Sequence, residues 1–106
     1  RPRNHRLATE CYERAALRRD ERAARSLAER YEQGEQVERD LKLAYAWTLV
    51  EAQLAEENTE PRRRRDELEK RLTVAEKLGA QDQAARWLAQ MPSEDDTARA
   101  RLDPDR

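Results

Sequence analysis

The chain has 106 residues, a length that suits a single domain, and although 42% of its residues are charged its formal net charge is −1. It has no phenylalanine and no isoleucine, which argues against a β-sandwich core, and its abundant alanine, leucine, glutamate, arginine and glutamine favour an all-α fold. A single cysteine excludes an internal disulfide, no apolar run is long enough to span a membrane, and the alternation of basic and acidic segments favours protein partners over nucleic acid.

Two helices are predicted in the N-terminal third of the chain. The first, over about 7–19, carries its apolar stripe on Leu7, Ala8, Cys11, Tyr12, Ala15 and Ala16. The second, over about 21–33, follows the N-cap residue Asp20 and ends at Gly34, which can adopt the left-handed conformation. Its predicted inner face consists of Ala23, Ala24, Leu27, Ala28 and Tyr31.

Three further helices are predicted after this pair. The third, over about 41–57, follows the N-cap residue Asp40 and is apolar on more than one side, so we expect neighbours on both flanks. The fourth, over about 61–72, is predicted to bury Leu68 and Leu72. The fifth, over about 74–90, begins with a Thr73–Glu76 capping box and ends at Pro92. Its predicted inward residues are Leu78, Ala84, Trp87, Leu88 and Met91, and a short terminal helix is expected within 93–102.

An internal repeat is visible at a spacing of 36 residues, because Leu7-Ala8 recurs as Leu43-Ala44 and Cys11 as Trp47. Such a period is typical of stacked helical repeats. The pattern resembles the Sel-one-like repeat, an α/α unit related to the tetratricopeptide repeat. The positions that carry the resemblance are Ala23, Leu27, Tyr31, Gly34, Val37, Asp40, Ala44, Trp47 and Ala52. Four residues depart from the family pattern: Ala28, Gln36 and Arg19 each stand at the place of a glycine, and Glu51 stands at the place of an alanine.

The region after this unit resembles the closing segment of many bacterial Sel-one-like proteins, through Arg65-Asp66, Leu68, Leu72-Thr73, Ala80-Gln81, Ala84 and Trp87. The resemblance implies a right-handed α/α solenoid of about five helices, comprising one and a half to two repeats and C-terminal capping helices. The expected organisation is a repeat region over 1–57, capping helices over 58–91 and a short polar tail over 92–106. It also implies the C-terminal end of a longer bacterial protein, in the envelope or periplasm, with the cytoplasm left open.

Residues that could carry chemistry have simpler structural interpretations. Cys11 has no base near it except His5, and it stands at the repeat's tryptophan position, so we expect it to pack in the core. Trp47 and Trp87 lie in apolar stripes and are also expected in the core. In the Arg62–Arg65 run, i,i+4 pairing with Asp66, Glu67 and Glu69 is expected to neutralise all but Arg64, which weakens a nucleic-acid interpretation. We therefore expect no enzyme, no cofactor and no metal.

The function implied by the resemblance is a protein–protein interaction scaffold. Its partner is expected on the first helix of the repeat, through the residues outside the apolar stripe, which are Arg22, Arg25, Glu29 and Glu32. Replacing Arg25 and Glu29 by alanine is expected to weaken that contact without lowering thermal stability. The alternative is homo-oligomerisation or docking on an upstream domain, through Leu7, Cys11 and Tyr12 of the first helix.

Overall fold

The computed structural model describes residues 2–35, 37–55 and 60–92, and in this part the chain forms five α-helices and no β-strand. The helices are α1 (Pro2–Ala16), α2 (Glu21–Gln33), α3 (Leu41–Ala55), α4 (Glu60–Glu69) and α5 (Val74–Gln90). The predicted all-α class is therefore confirmed. The helix expected within 93–102 lies outside the described residues.

The turns at both ends of α2 follow from local sequence signals. Asp20 accepts hydrogen bonds from the backbone N–H groups of Arg22 and Ala23, at 2.9 and 3.3 Å, which satisfies donors at the start of the helix. Gly34 ends α2 with a φ of 70°. Arg19, in the turn between α1 and α2, has a φ of 72°, although it has a side chain. The left-handed conformation that Arg19 adopts costs a residue with a Cβ about 1 kcal/mol.

The start of α5 is a reciprocal cap. The backbone N–H of Thr73 donates to Oε1 of Glu76 at 2.9 Å, and the N–H of Glu76 donates to Oγ1 of Thr73 at 3.1 Å. The predicted capping box is thus confirmed. The hydrogen bonds from Thr73 lower the pKa of the Glu76 carboxyl. The contribution of the Glu76 carboxylate to the cap is therefore present at neutral pH and is lost as the pH falls through that lowered pKa.

The central element of the fold is α3, which packs against α2, α4 and α5, while α1 packs against α2. Its surroundings explain why it is apolar on several sides: the five consecutive residues 44–48 are all buried. On one flank, Trp47 joins Leu27 of α2 in a cluster, and its ring stacks on Trp87 of α5 with centroids 3.8 Å apart. On another flank, Tyr45 packs with Leu68 of α4. The expectation of neighbours on both flanks is confirmed.

Cys11 and Leu78 were expected to face the core but are exposed, and both predictions were wrong for the same reason. On α1 the buried residues are Thr9 and Ala16, and Cys11 lies about 200° around the helix from Thr9. On α5, Leu78 lies about 200° around the helix from the buried residue Ala80, and Leu78 is 61% exposed. In both helices, small side chains form the buried side, because they allow the neighbouring helix to approach closely.

The two glycines are expected to respond to alanine with opposite signs. Gly79 lies inside α5, where alanine is favoured over glycine by about 1 kcal/mol. A Cβ there would lie 2.8 Å from Nζ of Lys42, which is the mobile end of an exposed side chain. Gly79→Ala is therefore expected to raise the midpoint of urea denaturation.

Gly34→Ala is the matched comparison. Its φ of 70° disfavours any Cβ, and that Cβ would lie 3.0 Å from the Cβ of Arg39, which cannot swing away. This variant is expected to lower the free energy of unfolding by about 1 kcal/mol or more. Shifts of the same sign in both variants would contradict the placement of these glycines.

Candidate partner-binding surface

The four predicted contact residues lie on the side of α2 that faces away from its buried stripe of Ala23, Ala24, Leu27 and Ala28. Arg22 and Glu29 are exposed, whereas Arg25 and Glu32 are partly buried. Three of the four, Arg25, Glu29 and Glu32, lie close to a buried carboxylate or to the arginine that pairs with it.

That carboxylate belongs to Glu51 of α3, which is only 1% exposed. Its Oε2 accepts a hydrogen bond from Nε of Arg25 on α2 at 2.9 Å. Its Oε1 accepts one from Nη1 of Arg64 on α4 at 2.6 Å. A buried carboxylate without such partners would be strongly unfavourable, so the two guanidinium groups compensate for the burial of Glu51.

Arg64 is the residue that joins three helices. Besides Glu51, its guanidinium lies 3.8 Å from Oε2 of Glu29 and 3.9 Å from Oε1 of Glu32, both on α2. Its side chain is only 12% exposed. We call Arg25, Glu29, Glu32, Glu51 and Arg64 the ionic network. It connects α2, α3 and α4 on one side of the molecule.

The ionic network changes what the predicted contact residues are expected to do. Arg25 holds a buried carboxylate, so the expectation that its replacement leaves thermal stability unchanged does not agree with the geometry. Arg22 takes no part in this network and remains the exposed arginine of the set. A mutational test of partner binding should therefore include Arg22 and Glu29 and leave Arg25 in place.

The Arg62–Arg65 run does not form the pairs expected from i,i+4 spacing. Arg64, which was expected to lack an acidic partner, is the most engaged of the four, and Arg65 pairs with its neighbour Asp66 at 3.4 Å. The arginines of this run therefore point in different directions, with Arg62 and Arg63 exposed and Arg64 turned inward. This arrangement does not present the sustained basic face that nucleic-acid binding requires.

The remaining acidic residues of α4 are also used differently from the prediction. Glu69 accepts a hydrogen bond from the Tyr45 hydroxyl at 2.7 Å, and Glu67 pairs with Lys70 at 3.4 Å. Gln81 of α5 donates to the same hydroxyl at 3.3 Å, so Tyr45 joins α3, α4 and α5. Burial raises the pKa of the Tyr45 hydroxyl, which keeps it protonated as the donor to Glu69.

The predicted self-association residues lie on α1 with different exposures. Leu7 is 54% exposed and Cys11 is exposed, whereas Tyr12 is half-buried beneath the guanidinium of Arg30, whose carbon lies 4.9 Å from the ring centroid. The interpretation of Cys11 as a core residue was therefore wrong. Tyr12 contributes to the α1–α2 contact, and Leu7 and Cys11 are the members of the set that are open to solvent.

An open cleft lies where α1 turns into α2. It has a volume of about 790 Å³ and is lined by Cys11, Arg14, Ala15, Arg18, Arg19, Asp20, Glu21 and Arg22. Arg14 lies in the last turn of α1, Arg18 and Arg19 in the turn that follows, and Arg22 in the first turn of α2, so four arginines line one cavity. We call this the arginine cleft. The sequence signal for it was the presence of four arginines within residues 14–22.

Within residues 2–35, 37–55 and 60–92, no three histidine, cysteine or acidic side chains are grouped so that they could hold a metal ion. None of the helices in this part of the chain is long and apolar enough to cross a membrane.

Comparison with known proteins gives no relative for this chain: no protein-family model matches it, and neither do any curated protein or solved structure.

Proposed function

We propose that the chain is a non-enzymatic interaction module that docks a protein partner on the outer face of α2. The observation that carries this proposal is the division of α2 into two sides. One side is buried, and α2 packs against α3; the other side presents charged side chains, of which Arg25 is held by the buried Glu51 and Glu29 lies 3.8 Å from Arg64. Holding Arg25 in place before binding lowers the entropic cost of binding on this face.

The larger architecture of the proposal is a Sel-one-like repeat in a right-handed α/α solenoid with α4 and α5 as its cap. It is supported by the residues at the repeat positions. Ala23, Leu27, Ala44 and Trp47 are buried, and Gly34 and Asp40 form the turn that joins α2 to α3. The ends of this turn are linked by a hydrogen bond of 2.9 Å from the N–H of Asp40 to the carbonyl of Tyr31. In the proposed solenoid, this turn would hold α2 and α3 side by side as one repeat unit, which could stack on a neighbouring unit.

The test compares two variants of equal net charge in affinity capture from cells that produce the chain. The first replaces Arg22 and Glu29 by alanine, and the control replaces Arg63 and Glu67, which are exposed on α4. We expect proteins that are captured by the wild type and the control and lost with the first variant. Equal capture by both variants, or no specific capture by the wild type, would contradict docking on α2.

Self-association through α1 is the second candidate, and the exposure of Leu7 and Cys11 favours it. Sedimentation velocity across a wide concentration range, under reducing conditions, would show a dimer that Leu7→Glu abolishes. Leu78→Glu on α5 is the matched control, since Leu78 is a similarly exposed leucine on another helix. A monomer at all concentrations would exclude this alternative.

A further inference from the structure

We infer that the arginine cleft binds a carboxylate-rich segment of the partner, an inference that rests on the proposed docking function and names the chemistry of its partner. The cleft is adjacent to the proposed surface, because Arg22 belongs to both. A volume of about 790 Å³ falls within the range of pockets that hold small ligands, and here it is open enough to admit several side chains of an extended peptide.

Three of the four arginines at this cleft, Arg14, Arg18 and Arg22, are available to bind a ligand. In the described part of the chain, neither a hydrogen bond nor an ion pair engages the side chains of Arg14, Arg18 and Arg22, and all three are exposed. This distinguishes them from Arg25 and Arg64, whose guanidinium groups are held by Glu51. Like charges around one cavity repel each other, and an anion between them relieves that repulsion.

The acidic residues of the cleft leave an excess of positive charge. Among the eight described residues that line it, four are arginines and two, Asp20 and Glu21, are acidic, and the Asp20 carboxylate already accepts hydrogen bonds from two backbone N–H groups of α2. The planar fork of donors on an arginine matches the two oxygens of a carboxylate. Adjacent glutamates or aspartates of a partner would therefore find more than one arginine within the same cleft.

The lining favours an acidic peptide over a nucleic acid. None of the described residues that line the cleft is aromatic, so they offer no surface on which a base could stack. The formal net charge of −1 also gives the chain no long-range attraction for a polyanion. A short acidic segment needs only the local field of a few arginines, which is what this cavity provides.

The test measures fluorescence anisotropy of a labelled peptide that contains four consecutive glutamates, titrated with the purified chain at low ionic strength. Arg14→Gln with Arg18→Gln is expected to weaken binding roughly five- to tenfold, which corresponds to about 1–1.4 kcal/mol for two exposed charge pairs together. The control is Arg63→Gln with Arg71→Gln, which removes the same charge from exposed positions outside the cleft and should bind like the wild type.

The thiol of Cys11 supplies an independent readout of location, because it lines the same cleft. Bound peptide should slow its reaction with a disulfide reagent, and a glycine–serine peptide of equal length should not. Equal weakening in both double variants, an unprotected Cys11, or no binding would overturn the inference. If single-stranded DNA binds more tightly than the glutamate peptide, and this binding depends on Arg14 and Arg18, the result would overturn the inference in favour of nucleic acid. If the peptide does not bind, but the capture of partner proteins still depends on Arg22 and Glu29, then the inference about the cleft is wrong and the proposed function stands.

Discussion

Glu51→Ala is expected to lower the free energy of unfolding by about 3 kcal/mol, because it leaves an arginine in the interior without its carboxylate. Arg64 is the residue most affected, since its side chain is only 12% exposed. Glu29 and Glu32, at 3.8 and 3.9 Å from it, compensate part of the loss and place the expected effect at the lower end for a broken buried pair. Urea denaturation followed by circular dichroism measures the change.

The control for this prediction is Glu67→Ala, which removes a carboxylate from an exposed ion pair with Lys70. Its expected cost is below about 0.5 kcal/mol, because water screens such pairs. Arg64→Ala should cost more than Arg25→Ala, since Arg64 is more buried and makes the shorter bond to Glu51. Equal effects of Glu51→Ala and Glu67→Ala would contradict the burial of Glu51.

Trp47→Ala is expected to lower the free energy of unfolding by about 4 kcal/mol, through lost transfer free energy and the cavity that it leaves. The ring is 2% exposed, packs in the cluster with Leu27 and Val50, and stacks on Trp87 at an interplanar angle of 13°. Trp47→Phe should cost less, because it keeps an aromatic ring in the same space. Chemical denaturation followed by circular dichroism measures both variants.

Leu78→Ala is the control for the Trp47 prediction, because Leu78 is a large apolar residue that the fold leaves exposed. Its expected effect is within about 0.5 kcal/mol of zero. A cost for Leu78→Ala as large as that for Trp47→Ala would mean that α5 is rotated from the orientation described above.

Local signals were sufficient to predict the five helices, both ends of α2 and the start of α5, whereas α1, expected over about 7–19, spans Pro2–Ala16, and α4, expected to reach about 72, ends at Glu69. Asp20, Gly34 and the Thr73–Glu76 capping box each act on backbone groups within a few residues, so neighbours in the sequence determine the outcome. The apolar content of α3 also predicted its central place, because a helix without a polar side needs partners all round.

The side of α1 and of α5 that is buried against the neighbouring helix could not be predicted from local signals. The apolar residues of both helices include several alanines, so periodicity alone leaves the rotation about the axis open, and the larger residues Cys11 and Leu78 were assigned to the wrong side. Close packing through Ala16 and Ala80 decided the rotation instead. This depends on the neighbouring helix, which no local pattern describes.

The ionic network was missed for a related reason. Charge pairing was considered only within a helix, whereas Arg64 reaches Glu51 on α3 and two glutamates on α2. One signal was present in the sequence: Glu51 stands where the resembling family has an alanine. A carboxylate at a small, buried position requires cations from neighbouring helices, and the departure from the pattern marked the place of the network.

Hydrogen–deuterium exchange on the complex with a captured partner tests the central claim most directly. We expect amide protection on binding to fall within residues 11–32, which include the arginine cleft and the outer face of α2. The amides of α4 and α5 should exchange as they do in the free chain. Protection confined to α4 and α5, or none in α2, would show that the partner docks elsewhere and would contradict the claim.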